Sequence, residues 1–264
     1  MNIFIHELKA NFKSLLIWSV VVILLISEAF AEFSAMAGNP AILKVMDEFP
    51  PAVLEAFGMH AFNMTTVTGY FGVVFIYFAL FLTLAAVMWG SDIISKEERD
   101  KTVEFALSLP VTRRRLLTAK ILAAGVNSLC LLLLTWAVTL AHADKYQPDS
   151  QFYQFVALSM LALFIMQMIF LAVGFLLGAA LKPQRHASSV AAGLLLASYF
   201  LAIVTELNAE LAFLKYAAPF KYFNPIDLLH AAELDRGFVW LSAVIIAVCL
   251  VGAYASYQKR DLHI

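Results

Sequence analysis

Residues 70–90 read YFGVVFIYFALFLTLAAVMWG, a run of 21 residues without a charged side chain. An α-helix needs about 20 mostly apolar residues to cross the hydrocarbon core of a bilayer, so this run predicts a membrane-spanning helix. The whole chain of 264 residues has the same character, being 62% hydrophobic and only 14% charged. Because soluble domains carry about 25% charged residues, the sequence predicts an all-α polytopic membrane protein with a single transmembrane domain.

Further apolar stretches lie on both sides of this run. Together they predict six spans, at about 15–34, 69–91, 117–141, 153–181, 187–207 and 238–257. The stretches 35–68 and 208–237 are too long and too mixed in composition to be simple turns. We therefore expect two substantial loops on one side of the membrane.

Residues 1–13 precede the first span, and Phe4, Leu8 and Phe12 recur there at every fourth position. This spacing places the three side chains on one face and predicts an amphipathic helix lying on the membrane surface. An extension of the first span beyond the bilayer fits the same residues equally well.

A cleaved signal peptide is a further interpretation of the first span, because AFAE at 29–32 imitates a cleavage site. The apolar run continues past that site, and Glu28 and Glu32 are unusual in a signal peptide. These observations favour a retained first span.

The distribution of positive charge predicts the orientation. With both termini on one side, that side holds 13 of the 18 Lys and Arg residues. Positive residues accumulate in cytoplasmic loops, so both termini and the loop 92–116 are expected in the cytoplasm and the two long loops outside. The net charge of −1 gives no indication of a nucleic-acid partner.

Several motifs that carry chemistry are missing from the sequence. No glycine is followed by lysine, so the chain has no P-loop for a nucleotide, and no pair of histidines lies inside a predicted span to hold zinc or haem. We therefore expect no cofactor in this chain. A membrane-embedded enzyme is an alternative, but Asn127, Thr135 and Gln167 are the internal polar candidates and are predicted to form interhelical hydrogen bonds. An ATP-independent transporter or channel is another alternative, although no repeat and no proline-broken span supports it.

The loop between the second and third spans contains EERDKTVEFALSLPVTRRR at 97–115. Ser95 and Glu98 fit a capping box, which predicts a short helix that Pro110 ends. Val103 and Leu107 share one face of that helix, and such an apolar face outside the bilayer is a docking element for a partner. A solvated loop that only fixes topology is the alternative.

The start of the third span carries its own signals. Thr112 is predicted to cap the helix that follows it. Arg113, Arg114 and Arg115 then lie at headgroup depth, where they can hold lipid phosphate. Membrane lipid is therefore an expected partner.

This loop resembles the cytoplasmic loop of the type-2 ABC export permeases. The matching residues are Glu97, Lys101, Thr102, Glu104, Leu107, Ser108, Pro110, Val111, Thr112, Arg113 and Lys120. Phe105-Ala106 stands where a Leu-Leu pair is more usual, and Lys101 stands where glycine often does. The segments FPPAVLEAFGM, APFKYFNPIDLL and YQKRDL agree more loosely with the outer loops and the end of the same family.

The resemblance implies a permease subunit of an exporter in a bacterial inner membrane. A separate ABC ATP-binding subunit would bind ATP and magnesium, and two copies of it would assemble with two permease chains, here as a homodimer. The loop would be the coupling helix that rests on the ATPase. The residues expected to act in this coupling are Glu97, Glu98, Lys101, Thr102, Val103, Glu104, Leu107, Pro110 and Arg113.

The cargo is not readable from the sequence, but several residues are candidates for a substrate path or an outer gate. They are Glu28 and Glu32, one turn apart near the outer end of the first span, Phe75 and Phe78 in the aromatic second span, and Pro219 and Pro225, which are expected to break short re-entrant helices. Aromatic walls suit an amphipathic or lipid-like cargo, such as a peptide antibiotic or a drug. Ordinary helix packing is the alternative for the aromatic residues.

Overall fold

In the computed structural model, residues 3–50, 54, 62–99, 111–182 and 186–259 are described, and all of their regular structure is helical. The α-helices in this part of the chain are α1 (Ile3–Met36), α2 (Pro40–Asp47), α3 (Val67–Arg99), α4 (Arg113–Ala143), α5 (Ser150–Ala180), α6 (Ala187–Leu207), α7 (Pro225–His230) and α8 (Arg236–Lys259). Short 3₁₀ helices cover Asp144–Tyr146, Ala209–Ala217 and Pro219–Lys221. Six helices, α1, α3, α4, α5, α6 and α8, are long and apolar enough to cross a membrane, which confirms the predicted all-α membrane fold.

The two ends of the helix bundle differ in what they contain. At one end α1 begins and α8 finishes, and contacts such as Glu7 to Lys120 and Thr118 to Tyr254 hold these helices together. We call it the basic end, because Arg113–Arg115 and Lys259 lie there. At the opposite end, the loop end, lie residues 37–50, 62–66 and 208–235.

The centre of the bundle is the pair α3 and α5, which pack along most of their length. Gly174 and Gly178 make this close approach possible, because a Cβ atom on either would collide with the backbone of α3 at Val87 or Ser91. The GFLLG motif is therefore used for packing within the chain. Helix α1 packs mainly on α4, and α8 packs mainly on α5.

The first helix does not follow the prediction of a separate surface helix. Helix α1 runs without interruption from Ile3 to Met36, and Glu7 and Asn11 on its first turns are buried against the bundle. No glycine or proline occurs between these limits, so nothing in the sequence ends the helix before the span begins. The extension of the first span was the better interpretation.

The second span also continues further than its hydropathy predicts. Helix α3 extends through Arg99, and the Ser95 hydroxyl donates to the carbonyl oxygen of Ser91 at 2.8 Å, within the same helix. The predicted capping box at Ser95 was therefore wrong, since a residue inside a helix has no free turn to cap. The predicted cap at Thr112 is confirmed, because its hydroxyl oxygen accepts from the Arg115 amide at 3.3 Å.

The internal polar residues also differ from the prediction of interhelical hydrogen bonds. Thr135 donates to Leu131 within its own helix. The side-chain amide nitrogen of Asn127 and both amide atoms of Gln167 are buried and have no hydrogen-bond partner among the described residues. The close contact of α5 with α3 is made at Gly174 and Gly178 rather than through these polar side chains.

Candidate functional site

A buried ion pair lies at the basic end of the bundle, where three helices meet. Lys120 on α4 places its Nζ 3.1 Å from a carboxylate oxygen of Glu7 on α1, and the same Nζ donates to the carbonyl oxygen of Ile93 on α3 at 2.7 Å. The side chains of Lys120 and Glu7 are 0% and 3% exposed. One ammonium group therefore joins α1, α3 and α4.

Burying this ion pair costs free energy of hydration. Removing two charges from water is costly, and their attraction offsets that cost only with good geometry and further hydrogen bonds. The Ile93 carbonyl supplies one such hydrogen bond. Because loss of one member leaves the other charge dehydrated, the pair holds the three helices in one arrangement.

Further polar contacts fix the last turns of α3. The indole nitrogen of Trp89 donates to the Ser14 hydroxyl on α1 at 2.8 Å. The hydroxyl oxygens of Ser91 and Ser188 lie 3.1 Å apart and connect α3 with α6. The helix that leads into the segment 100–110 is thus attached to three neighbours.

The first turns of α4, which follow that segment, are attached to α8. Arg113 donates to the backbone carbonyl of Gln258 at 3.5 Å, and Arg114 donates to the side-chain carbonyl of the same residue at 3.4 Å. The hydroxyl groups of Thr118 and Tyr254 share a hydrogen bond of 2.6 Å. Both sides of the segment 100–110 are therefore held by the bundle.

The residues predicted to couple to an ATPase fall into three groups. Arg113 is described and begins α4, and Glu97 and Glu98 lie on the last turn of α3, where the backbone alone is described. Lys101, Thr102, Val103, Glu104, Leu107 and Pro110 lie outside the described residues. Sequence reasoning missed Glu7. A lysine that is fully buried in an apolar run needs a partner, but the run does not say which residue supplies it.

At the loop end, Glu28 and Glu32 lie on the exposed side of α1. The Tyr70 hydroxyl of α3 donates to a carboxylate oxygen of Glu32 at 3.0 Å. Beside it, the ring of Phe33 packs against those of Tyr70 and Tyr146, with centroids 5.1 and 4.7 Å away. The structure thus joins Glu32 to the first turn of α3.

A cavity of about 100 Å³ opens between α3, α6 and the loop 208–235. It is lined by Phe62, Gly72, Val73, Ile76, Tyr199, Ala202, Ile203, Glu206, Phe220, Lys221, Asn224, Pro225 and Ile226. Glu206 and Lys221 form an ion pair at its wall, with side chains 27% and 23% exposed. Burial lowers the pKa of the Lys221 ammonium, and the nearby charge of Asp227 opposes that shift.

Of the remaining candidates for a substrate path, one lines this cavity and the others do not. Pro225 lines this cavity and begins α7, and the buried Pro219 begins a 3₁₀ helix. Both prolines start short helices, because their fixed φ and missing N–H suit the first turn. Phe75 and Phe78 lie in the core, 1% and 2% exposed, away from the lining of the cavity. Among the described residues, no cluster of three His, Cys, Asp or Glu side chains is arranged to hold a metal ion.

Nearly the whole chain is similar to one known protein family. A family model described as "ABC-2 family transporter protein" matches residues 1–262. No curated protein matches the chain. The match covers every helix of the bundle, including both helices that border the segment 100–110.

Proposed function

We propose that this chain, which belongs to the ABC-2 transporter family, is the permease of an exporter driven by ATP hydrolysis on a separate ATP-binding subunit. Members of this family are the membrane component of ABC transporters. Two permease chains and two ATP-binding subunits would form the complex, and ATP with magnesium would bind to the latter.

The observation that supports this proposal best is the attachment of both helices next to the segment 100–110. Helix α3 ends at Arg99 and α4 begins at Arg113, and each is fixed to neighbouring helices within a few turns. A short segment between two anchored helices is suited to receive a force from a partner. The resemblance to the export permeases implies that this segment is the coupling helix, which rests on the ATPase.

The contacts of the basic end suggest how such a force would spread. A displacement of α4 would carry Lys120, and Glu7 on α1 would follow because separating the pair leaves a dehydrated charge. The Thr118–Tyr254 hydrogen bond would carry the same displacement to α8. The bundle would therefore move as packed helices rather than through a local change in the loop.

The excess of Lys and Arg supports a cytoplasmic position for the basic end, so the loop end would lie outside the bacterial inner membrane. At that outer end, the exposed Glu28 and Glu32 lie next to apolar helix surfaces. An amphipathic or lipid-like cargo, such as a peptide antibiotic or a drug, matches this combination. Carboxylates in such a place favour a cargo with a positively charged group.

The coupling role is tested by isolating the tagged chain from its host in mild detergent. We expect a P-loop ATPase to co-purify, and we expect Glu104→Ala to lower both its recovery and the ATP hydrolysis of the complex by about tenfold, as for the loss of a central interface residue. Glu233→Ala is the matched control, because Glu233 is an exposed glutamate in the loop at the opposite end.

The thermal stability of the isolated chain is measured for both variants, so that a folding defect is not mistaken for a docking defect. Equal recovery of the ATPase with both variants would refute docking at this segment. Transport by the purified chain in vesicles without any ATPase would refute the proposed energy source.

A further inference from the structure

An apolar groove runs along the outside of the bundle between α4 and α8, with α5 as its floor. Its volume is about 390 Å³, and its lining residues are Ile121, Leu122, Gly125, Val126, Leu129, Phe164, Met168, Leu171, Ala172, Phe175, Ile246 and Leu250. Leu122, Val126 and Leu129 are exposed on one wall, so the groove is open to the surroundings of the bundle. No residue of this lining carries a charge.

The groove has a closed end and a basic border. At the basic end, α4 and α8 converge through the Thr118–Tyr254 hydrogen bond and the contact of Arg114 with Gln258. Arg114 and Thr118 lie on the same face of α4 as Gly125, since Arg114, Thr118, Ile121 and Gly125 recur at intervals of four, three and four residues. Arg114, Arg115 and Lys259 are all exposed around this closed end.

The depth of the groove matches one leaflet of a membrane. Gly125 follows Arg114 by eleven residues, which is a rise of about 16 Å along the helix. One leaflet contributes about 15 Å of hydrocarbon. Positive side chains therefore lie at headgroup depth while the groove lies at the depth of the acyl chains of the same leaflet.

The lining of the groove decides between two kinds of occupant. A slender acyl chain needs only apolar contacts, and the groove, of about 390 Å³, offers only those. Its lining contains no polar contact for a peptide backbone, and the charges at its end are of one sign.

We propose that this groove is a binding site for an anionic phospholipid, whose acyl chain lies between α4 and α8 and whose phosphate contacts Arg114 and Arg115. Basic pockets between membrane helices bind anionic headgroups in this way. Lys259 on α8 completes the positive border. The site includes no residue of the segment 100–110 and none that lines the cavity at the loop end, and it does not depend on an ATPase partner.

The test measures lipid binding to the purified, delipidated chain by native mass spectrometry. The probes are phosphatidylglycerol and phosphatidylcholine with identical acyl chains. We expect tighter binding of phosphatidylglycerol, and we expect the double variant Arg114→Gln, Arg115→Gln to lower that affinity about tenfold or more, towards that of phosphatidylcholine. Lys145→Gln, an exposed charge at the loop end, is the control for a general loss of positive charge.

A second variant tests the acyl-chain part of the site. A Cβ atom on Gly125 would meet no atom of another helix within 4 Å, so Gly125→Leu directs a side chain into the open groove. The same holds for Gly193 on the exposed side of α6, and Gly193→Leu is the matched control. We expect Gly125→Leu alone to lower the affinity for both lipids.

Each other outcome overturns the proposal. Equal binding of the two lipids to the wild-type chain would refute recognition of an anionic headgroup. Unchanged binding to Gly125→Leu would refute the groove as the site of the acyl chain. If Gly125→Leu instead converted a dimer into monomers with lipid binding unchanged, the groove would be an interface between copies of the chain.

Discussion

Among the described residues, a Lys–Glu pair lies at either end of the bundle, and the two pairs differ in their surroundings. At the basic end, Lys120 and Glu7 are 0% and 3% exposed and lie on two long helices, and Lys120 also donates to the Ile93 carbonyl on a third. At the loop end, Lys221 and Glu206 are 23% and 27% exposed and connect the last turn of α6 with a 3₁₀ helix. The first pair is enclosed by protein, and the second is in reach of water.

This difference has a mechanical consequence. A pair that is enclosed by protein is costly to separate, because either charge alone would stay dehydrated. A pair in reach of water is easily separated, because solvent replaces the lost contact. The basic end is therefore built to keep its helices together, whereas the loop end is built so that its contacts can exchange.

The largest expected effect comes from removing one member of the enclosed pair. Lys120→Met keeps the length of the side chain but leaves Glu7 without its lysine partner. We expect a loss of about 3–5 kcal/mol of stability, which corresponds to a fall in the unfolding midpoint of roughly 10 °C. Thermal unfolding of the purified chain in detergent measures this fall.

The double variant Glu7→Gln, Lys120→Met distinguishes the interaction between the two residues from the contacts that each makes with its surroundings. If the two charges act on each other, the double variant recovers part of the stability that Lys120→Met loses, with a coupling energy above about 1 kcal/mol. Additive losses would mean that the two residues are buried side by side without depending on each other. In that case the contrast between the two ends would lose its basis.

A smaller effect is expected where the loop end joins α1 to α3. Tyr70→Phe removes the hydrogen bond to Glu32 and keeps the packing of the ring against Phe33. Because Glu32 is exposed and water can take the place of the hydroxyl, we expect a loss of about 1 kcal/mol or less. Unfolding measured beside Lys120→Met checks the order of the two effects, and a larger loss for Tyr70→Phe would reverse it.

The sequence predicts the spans better than it predicts where their helices end. Hydropathy marks the part of a helix that lies in hydrocarbon, so α6 agrees with its predicted limits of 187–207. It does not register helical turns that carry charged residues, and α3 therefore continues to Arg99 past the predicted end at 91. The signal at Ser95 failed for the same reason, since a capping motif starts a helix only where none is already present.

The candidate site shows a similar division. The hydroxyl cap at Thr112 is local, and local chemistry was sufficient to predict it. The partner of Lys120 comes from a position 113 residues away, and the chain contains 19 acidic residues from which to choose. Only the packing of α1 against α4 selects Glu7. In the same way, Phe75 and Phe78 share an aromatic composition with residues that line cavities, and packing alone places them in the core.

The smallest effect is expected at the solvent-accessible pair of the loop end. Glu206→Gln removes one charge and leaves Lys221 in contact with water, so we expect a change of about 0–1 kcal/mol, and less at high salt. Unfolding midpoints at low and high ionic strength measure it, with Glu210→Gln, an exposed glutamate in the same loop, as the control. A loss comparable to that of Lys120→Met, unchanged by salt, would show that this pair is also held away from water. The loop end would then have to open by moving α6 as a whole, because the contact between α6 and its loop could no longer be separated.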